Sequence, residues 1–90
     1  FNILIVDDLK ANLVTLQAIL NTNFTTVNVI PALSGDEALK IATKEDIHLV
    51  ISDIQMPIMD GFEFVSLLKM NPKTKDIPVV FITAIYNTND

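Results

Sequence analysis

Three carboxylates and one hydroxyl group follow short apolar runs in this sequence, and they belong to Asp7, Asp8, Asp53 and Thr83. The runs occupy residues 3–6, 49–51 and 79–82. Consecutive apolar residues over such short lengths are typical of strands covered on both faces, as in a parallel sheet with helices on either side. Ligands bind at the carboxyl ends of such strands. The sequence therefore predicts that these side chains meet at one edge of a sheet.

Carboxylates gathered at one edge favour a metal ion. Like charges so close together raise one another's pKa values or force the site apart unless a cation lies between them. A hard divalent ion with oxygen ligands, Mg²⁺ above all, satisfies this requirement. For Asp53 taken alone, the alternative is that it starts a turn, as Asp often does after a strand.

The first helix is expected over residues 9–21. Its apolar stripe comprises Leu13, Leu16 and Leu20, and Val14 and Ile19 are expected to broaden it. This spacing is typical of a helix that packs on a sheet. Residues 25–30 then alternate polar and apolar side chains, which predicts a half-exposed strand at a sheet edge, ended by Pro31.

Two further helices begin at predicted caps. Ser34 and Glu37 have the spacing of a capping box, in which Glu37 is expected to reach back to the Ser34 amide. Asp60 and Glu63 repeat this spacing, so Asp60 is interpreted as a helix cap and not as a fourth metal ligand. His48 is interpreted as a residue at a strand entrance, because no ligand-type neighbour lies at metal-binding spacing.

Four strands and three helices are thus predicted to alternate along the chain. Right-handed crossovers between parallel strands and an edge position for the second strand give the sheet order 2-1-3-4. The predicted fold class is α/β, a flavodoxin-like, doubly wound parallel sheet. The loop at residues 73–76 is expected to be solvated.

The composition of the chain argues against several classes of function. The 90 residues are half hydrophobic and form one domain with an adequate core. A net charge of −5 argues against nucleic-acid binding, which needs a clustered basic face. No apolar run approaches the roughly 18 residues of a membrane span, and the absence of cysteine fits a reducing compartment, so a cytoplasmic location is predicted.

Three segments carry a family resemblance. Residues 3–8 (ILIVDD), 52–61 (SDIQMPIMDG) and 80–84 (VFITA) resemble the three signatures of the CheY-like receiver domain of two-component response regulators. They occur in the expected order, and the middle signature is the specific one.

The resemblance implies a role for each matching residue. Asp53 would accept a phosphoryl group from a phosphohistidine, and Thr83 would hydrogen-bond that group. Mg²⁺ would be held by Asp7, Asp8, Asp53 and the backbone carbonyl of Gln55. The phosphodonor would be a sensor histidine kinase or a phosphotransfer protein, and a homodimer is compatible with the family. Such a domain is no turnover enzyme, because it catalyses only its own phosphorylation and dephosphorylation.

The sequence departs from the family after its fourth strand. Receiver domains continue with a helix, a fifth strand ending in Lys, and a closing helix, whereas all six lysines here precede Thr83. Residues 1–90 are therefore expected to be an incomplete receiver domain that lacks the last helix-strand-helix unit.

Two alternatives remain open. The first is a degenerate receiver that acts as a non-phosphorylated interaction module, which the absent Lys would allow. The second is a Mg²⁺-dependent phosphohydrolase with a strand-end Asp nucleophile. Enzymes of that class are expected to carry a second acid two residues after the nucleophile. Here Asp7 and Asp8 are adjacent, and the expected nucleophile, Asp53, lies in the third strand.

Overall fold

Strands and helices alternate along residues 1–82, the part of the chain that the computed structural model describes. The elements are β1 (Asn2–Val6), α1 (Lys10–Asn23), β2 (Asn28–Ala32), α2 (Gly35–Lys44), β3 (Leu49–Asp53), α3 (Gly61–Lys69) and β4 (Val79–Ile82). The predicted alternation is confirmed.

The four strands form one parallel sheet in the order β2-β1-β3-β4. Val6 at the end of β1 lies opposite Ala32 on one side and Ser52 on the other. The carboxyl ends of the central strands are therefore level with each other. The predicted fold class and strand order are confirmed.

The core lies on both faces of the sheet, because side chains of successive strand residues point to opposite faces. Ile3 and Ile5 pack with α1, and the buried members of this cluster are Ile3, Ile5, Leu13, Leu20 and Val29. Leu4 and Val6 pack with α2 and α3, in a larger cluster that includes Ala38, Ala42, Val50, Phe64 and Leu68. Coverage on two faces explains why β1 is apolar at every position from 3 to 6.

Helix α1 differs from its prediction in its bounds and in its buried face. It begins at Lys10, one residue later than expected, and extends to Asn23, two residues further than expected. Val14 and Ile19, which were expected to broaden the buried stripe, are both more than half exposed. At 3.6 residues per turn they lie about a quarter to a third of a turn from the centre of the leucine stripe, and so they face outward.

Strand β2 also differs from its prediction. It was expected over residues 25–30 with Pro31 as its end, but it begins at Asn28 and runs through Pro31 to Ala32. A proline lacks the N–H that a central strand must donate, yet an edge strand tolerates it because one side has no partner strand. The edge position itself is as predicted.

Side-chain caps start α2 and α3. The Ser34 Oγ accepts the Glu37 N–H at 3.1 Å, as expected. Glu37, however, accepts the N–H of Leu33 at 2.9 Å and not that of Ser34, so this half of the predicted capping box is wrong by one residue. Asp60 accepts the Glu63 N–H at 2.8 Å and caps α3 as predicted.

The segment 73–76 is not a uniformly solvated loop. Thr74 is only 1% exposed, and its hydroxyl donates to the carbonyl of Leu68 at 2.7 Å. This bond occupies a carbonyl in the last turn of α3, where carbonyls lack partners within the helix. Thr74 thereby ties the loop to the helix end.

No helix within residues 1–82 is both long enough and apolar enough to cross a lipid bilayer.

Replacing Thr74 by Val is expected to lower the free energy of unfolding by about 0.5–1.5 kcal/mol, the net value of one hydrogen bond. The shape is kept, and the Leu68 carbonyl loses its 2.7 Å bond from Thr74 while it keeps a longer one, at 3.3 Å, from the N–H of Asn71. The measurement is urea unfolding followed by circular dichroism. Thr43→Val is the matched control, since the exposed Thr43 hydroxyl also donates to a helix carbonyl, at 2.9 Å. Equal losses in the two variants would contradict the structural role of Thr74.

Candidate functional site

Strand pairing brings the predicted acids together. Val6 and Ser52 face each other across β1 and β3. Asp7 directly follows β1, and Asp53 is the last residue of β3. Asp53 is also paired on its other side, with Ile82 of β4. The two carboxylates therefore emerge side by side at the carboxyl edge of the sheet.

Asp8 completes the group. One carboxylate oxygen from each of Asp7, Asp8 and Asp53 lies within 4.8 Å of the other two. Asp7 and Asp53 are buried, with 3% and 7% of their surface exposed, and Asp8 is more exposed than either. Three converging carboxylates with one side open to solvent fit a hard divalent cation such as Mg²⁺, which prefers oxygen ligands and retains several waters.

Burial is the largest influence on Asp53 and raises the pKa of its carboxyl group above the ordinary value. The neighbouring charge of Asp7 raises the pKa further, and that of Asp8 contributes a smaller increase. Hydrogen bonds from the backbone N–H groups of Gln55 and Ile54 act in the opposite direction, because they stabilise the carboxylate. The metal-free site therefore destabilises the ionised form of Asp53.

The Asp7 carboxylate is held in place by the start of α1. Its Oδ1 accepts the N–H of Leu9 at 2.9 Å, and its Oδ2 accepts the side-chain amide of Asn12 at 3.1 Å. Sequence reasoning did not identify Asn12. The available signal was an amide side chain in the first turn of the helix that follows the acidic pair.

The loop after Asp53 folds back so that Gly61 lies against the main chain of Asp53 and Ile54. The N–H of Gly61 donates to the carbonyl of Ile54 at 2.8 Å. A Cβ atom on Gly61 would lie 2.6 Å from the Asp53 carbonyl oxygen, so only glycine allows this approach. The Ser52 hydroxyl donates to the same carbonyl at 2.9 Å. These contacts fix the backbone that carries the Asp53 side chain.

The structure brings together three of the predicted site residues, Asp7, Asp8 and Asp53. Gln55 is exposed and its N–H bonds to Asp53, while the role of its carbonyl as a metal ligand stays a prediction. Thr83 lies outside the described residues.

The interpretation of His48 agrees with its position. It precedes β3 at the amino end of the sheet, and its Nδ1 accepts the N–H of Asn2 at 2.9 Å. It therefore lies at the sheet end opposite the acids.

A parallel sheet wound on both faces, with a carboxylate cluster at the carboxyl ends of its two central strands, defines a CheY-like α/β domain. Residues 3–90 match the family model described as the response regulator receiver domain. The chain belongs to this family.

Known proteins agree with this assignment. The chain is 40% identical over 88 residues to the response regulator PleD of Caulobacter vibrioides, covering 98% of this chain and 19% of PleD. It is 37% identical over 83 residues to a probable chemotaxis protein CheY of Rhizobium etli, covering 91% of this chain and 63% of that protein.

Among solved structures, the N-terminal domain of a response regulator receiver protein from Methanoculleus marisnigri JR1 superimposes with a TM-score of 0.86 at 36% identity. This match covers 92% of the present chain and 66% of the other. The chain thus spans about a fifth of PleD and somewhat under two thirds of the CheY relative.

Asp53→Asn is expected to stabilise the metal-free protein at pH 7, with a rise in Tm of several degrees, the scale of a change on the order of 1 kcal/mol. Because the pKa of Asp53 is raised in the folded state, its ionisation opposes folding. That penalty is absent below about pH 4, the ordinary pKa of an Asp carboxyl. It grows as the pH rises through the folded-state pKa.

Thermal unfolding in a metal chelator should therefore show a gain at neutral pH that disappears at acidic pH. Asp76→Asn, which removes one charge at an exposed position, serves as the control. A stabilisation of Asp53→Asn that is independent of pH would contradict the electrostatic origin.

Proposed function

We propose that this chain is the phosphoryl-accepting switch of a two-component phosphorelay and that Asp53 is the residue phosphorylated. One observation carries the proposal: three carboxylate oxygens meet within 4.8 Å at the carboxyl edge of a receiver-family sheet. Asp53 lies between the two neighbouring strands β1 and β4, with its side chain at the edge.

The proposed reaction is a phosphoryl transfer between two proteins. An Asp53 oxygen attacks the phosphorus atom of a phosphohistidine, and a P–O bond forms as the P–N bond breaks. The electron pair of the broken bond remains on the imidazole nitrogen, which then takes up a proton. Asp53 becomes an acyl phosphate.

Asp7, Asp8, Asp53 and the Gln55 carbonyl are the proposed ligands of Mg²⁺. When bound, the ion would neutralise charge that gathers on the transferred group. Asp7 contributes a fixed carboxylate, because Leu9 and Asn12 hold both of its oxygens. Asp8 is less buried than the other two acids of the cluster and leaves the site accessible from solvent.

Groups of the chain itself favour Asp53 as the attacking nucleophile. The N–H groups of Ile54 and Gln55 favour the ionised form, which is the nucleophile, against the burial that disfavours it. Gly61 fixes the main chain beneath it. Thr83 is the proposed hydroxyl that responds to the arriving phosphoryl group, as the receiver signature implies.

The receiver family implies histidine kinases as phosphodonors. We propose a sensor histidine kinase or a histidine phosphotransfer protein as the partner of this chain. A cytoplasmic location follows from such a partnership and is part of the proposal.

Acetyl phosphate with Mg²⁺ should increase the intact mass of the protein by one phosphoryl group, because a small donor can reach the exposed side of the site. Asp53→Asn should show no increase. Asp60→Asn is the control, since Asp60 caps α3 and lies outside the carboxylate cluster. A mass increase in Asp53→Asn equal to that of the wild type would refute the assignment of Asp53.

Mg²⁺ should raise the Tm of the wild type, because an ion that binds the native state alone stabilises it. At ten times the dissociation constant the gain is about 1.4 kcal/mol. Asp8→Ala should lose this response and Asp76→Ala should keep it. A wild-type Tm that does not move in millimolar Mg²⁺ is the result that contradicts the metal site.

A further inference from the structure

The start of α1 is bound by an acid of the carboxylate cluster. Leu9 occupies the N-cap position, and its side chain has no atom that accepts a hydrogen bond. Asp7, two residues earlier, supplies the acceptors instead. Its Oδ1 accepts the N–H of Leu9 at 2.9 Å, and its Oδ2 accepts the side-chain amide of Asn12 at 3.1 Å. The helix and the acidic cluster therefore share one carboxylate, at a helix end where negative charge is favourable.

These two hydrogen bonds fix the plane of the Asp7 carboxylate. Rotation about the last bond of an aspartate side chain has a broad energy profile, so covalent structure alone does not set that plane. A hydrogen bond to one oxygen leaves the other oxygen able to rotate, whereas bonds to both oxygens determine the plane. Asn12 is itself held, because its backbone N–H donates to the Leu9 carbonyl at 3.0 Å within the first turn of α1.

Repulsion within the cluster makes this restraint necessary. One oxygen from each of Asp7, Asp8 and Asp53 lies within 4.8 Å of the other two, and Asp7 is almost fully buried. Like charges at such distances favour any rotation that separates them. The N–H of Leu9 belongs to the main chain and does not depend on the type of residue. The donor to the second oxygen is a side chain, so the residue at position 12 decides whether the plane is fixed.

The same hydrogen bonds restrict how Asp7 can bind a cation. Mg²⁺ requires near-ideal octahedral geometry, whereas Ca²⁺ accepts flexible geometry and carboxylates that bind through both oxygens. Each oxygen of Asp7 already accepts an N–H. The carboxylate is therefore suited to binding an ion through one oxygen in a fixed direction, which favours the smaller ion.

We propose that Asn12 is a positioning residue that makes the carboxylate cluster selective for Mg²⁺ over Ca²⁺ by fixing the Asp7 carboxylate. This inference rests on the proposed function and deepens it, because Mg²⁺ at the cluster is part of that proposal. Asn12 acts through Asp7 and does not need to contact the ion. Loss of a hydrogen-bond partner of a metal ligand typically weakens metal binding about 10–100-fold.

The test measures the Kd of each ion by isothermal titration calorimetry with MgCl₂ and with CaCl₂. Asn12→Leu removes the amide and keeps a side chain of similar size. Asn23→Leu is the matched control, because it makes the same substitution in the same helix. The Asn23 amide donates to the Ile19 carbonyl at 2.8 Å, at the end of α1 remote from the acids. Circular dichroism checks that each variant is folded, and Asn12→Ala, with the strongest helix former, replaces Asn12→Leu if that variant does not fold.

Asn12→Leu is expected to raise the Kd for Mg²⁺ about tenfold or more. Its Kd for Ca²⁺ should change by a much smaller factor, and Asn23→Leu should match the wild type for both ions. An unchanged Kd for Mg²⁺ in Asn12→Leu overturns the inference. Equal weakening of both ions also overturns it, because Asn12 would then support the local fold and not the geometry of Asp7.

A second measurement uses the wild type alone. In ¹H–¹⁵N NMR spectra, the assigned side-chain amide signals of Asn12 should shift as MgCl₂ is added, because their acceptor binds the ion. The shift should follow the Kd found by calorimetry, and the side-chain amide signals of Asn23 should stay in place. Asn12 signals that do not move at saturating Mg²⁺ contradict the link between Asn12 and the ion.

Failure of the proposed function gives a different result. A wild type that binds no Mg²⁺ removes the metal site and this inference with it. A wild type that binds Mg²⁺ and accepts a phosphoryl group from acetyl phosphate, with Asn12→Leu indistinguishable from it for both ions, removes the role of Asn12 alone.

Discussion

Mutual repulsion among three carboxylates is the constraint on which the rest of this structure depends. Two unit charges about 5 Å apart repel by roughly 3 kcal/mol at an effective dielectric constant of 20. The cluster of Asp7, Asp8 and Asp53 therefore persists only if the fold prevents its parts from separating. The two central strands do so, because β1 and β3 are paired along their lengths and packed with apolar side chains on both faces. Part of the free energy that core packing contributes therefore offsets the repulsion between these carboxylates.

Different elements of the fold hold these acids in place. The start of α1 holds Asp7 by two hydrogen bonds, whereas the residues that follow β3 solvate Asp53 by their backbone N–H groups. Asp8 is the most exposed of the three. Two carboxylates are therefore positioned in advance, while the third stays accessible to solvent. Such an arrangement suits an ion that keeps part of its water shell.

Much of this could be predicted from sequence because the signals were local. Apolar runs ending in acids located β1 and β3, and the spacing of Asp60 and Glu63 located the start of α3. Features that depend on tertiary contacts were missed. Thr74 has no local pattern that distinguishes it from its solvated neighbours, since its burial follows from the return of the chain to Leu68. The outward orientation of Val14 likewise follows from which helix face meets the sheet, and a broad apolar stripe leaves that undecided.

The backbone of Ile58, with φ = 70°, is unfavourable for a β-branched residue, and its conformation has the same kind of cause. Gly61 must approach the Asp53 carbonyl closely, so the loop between them has to turn sharply within a few residues. The γ-turn around Ile58, in which the Met59 N–H donates to the Pro57 carbonyl at 2.7 Å, is part of that short path. The backbone of Asp53 is meanwhile fixed by pairing to β4 and by contact with Gly61, which leaves its side chain as the part free to respond. A change of charge at this edge must therefore be accommodated by side chains and by the loop tip, because the strands that carry the acids cannot move apart.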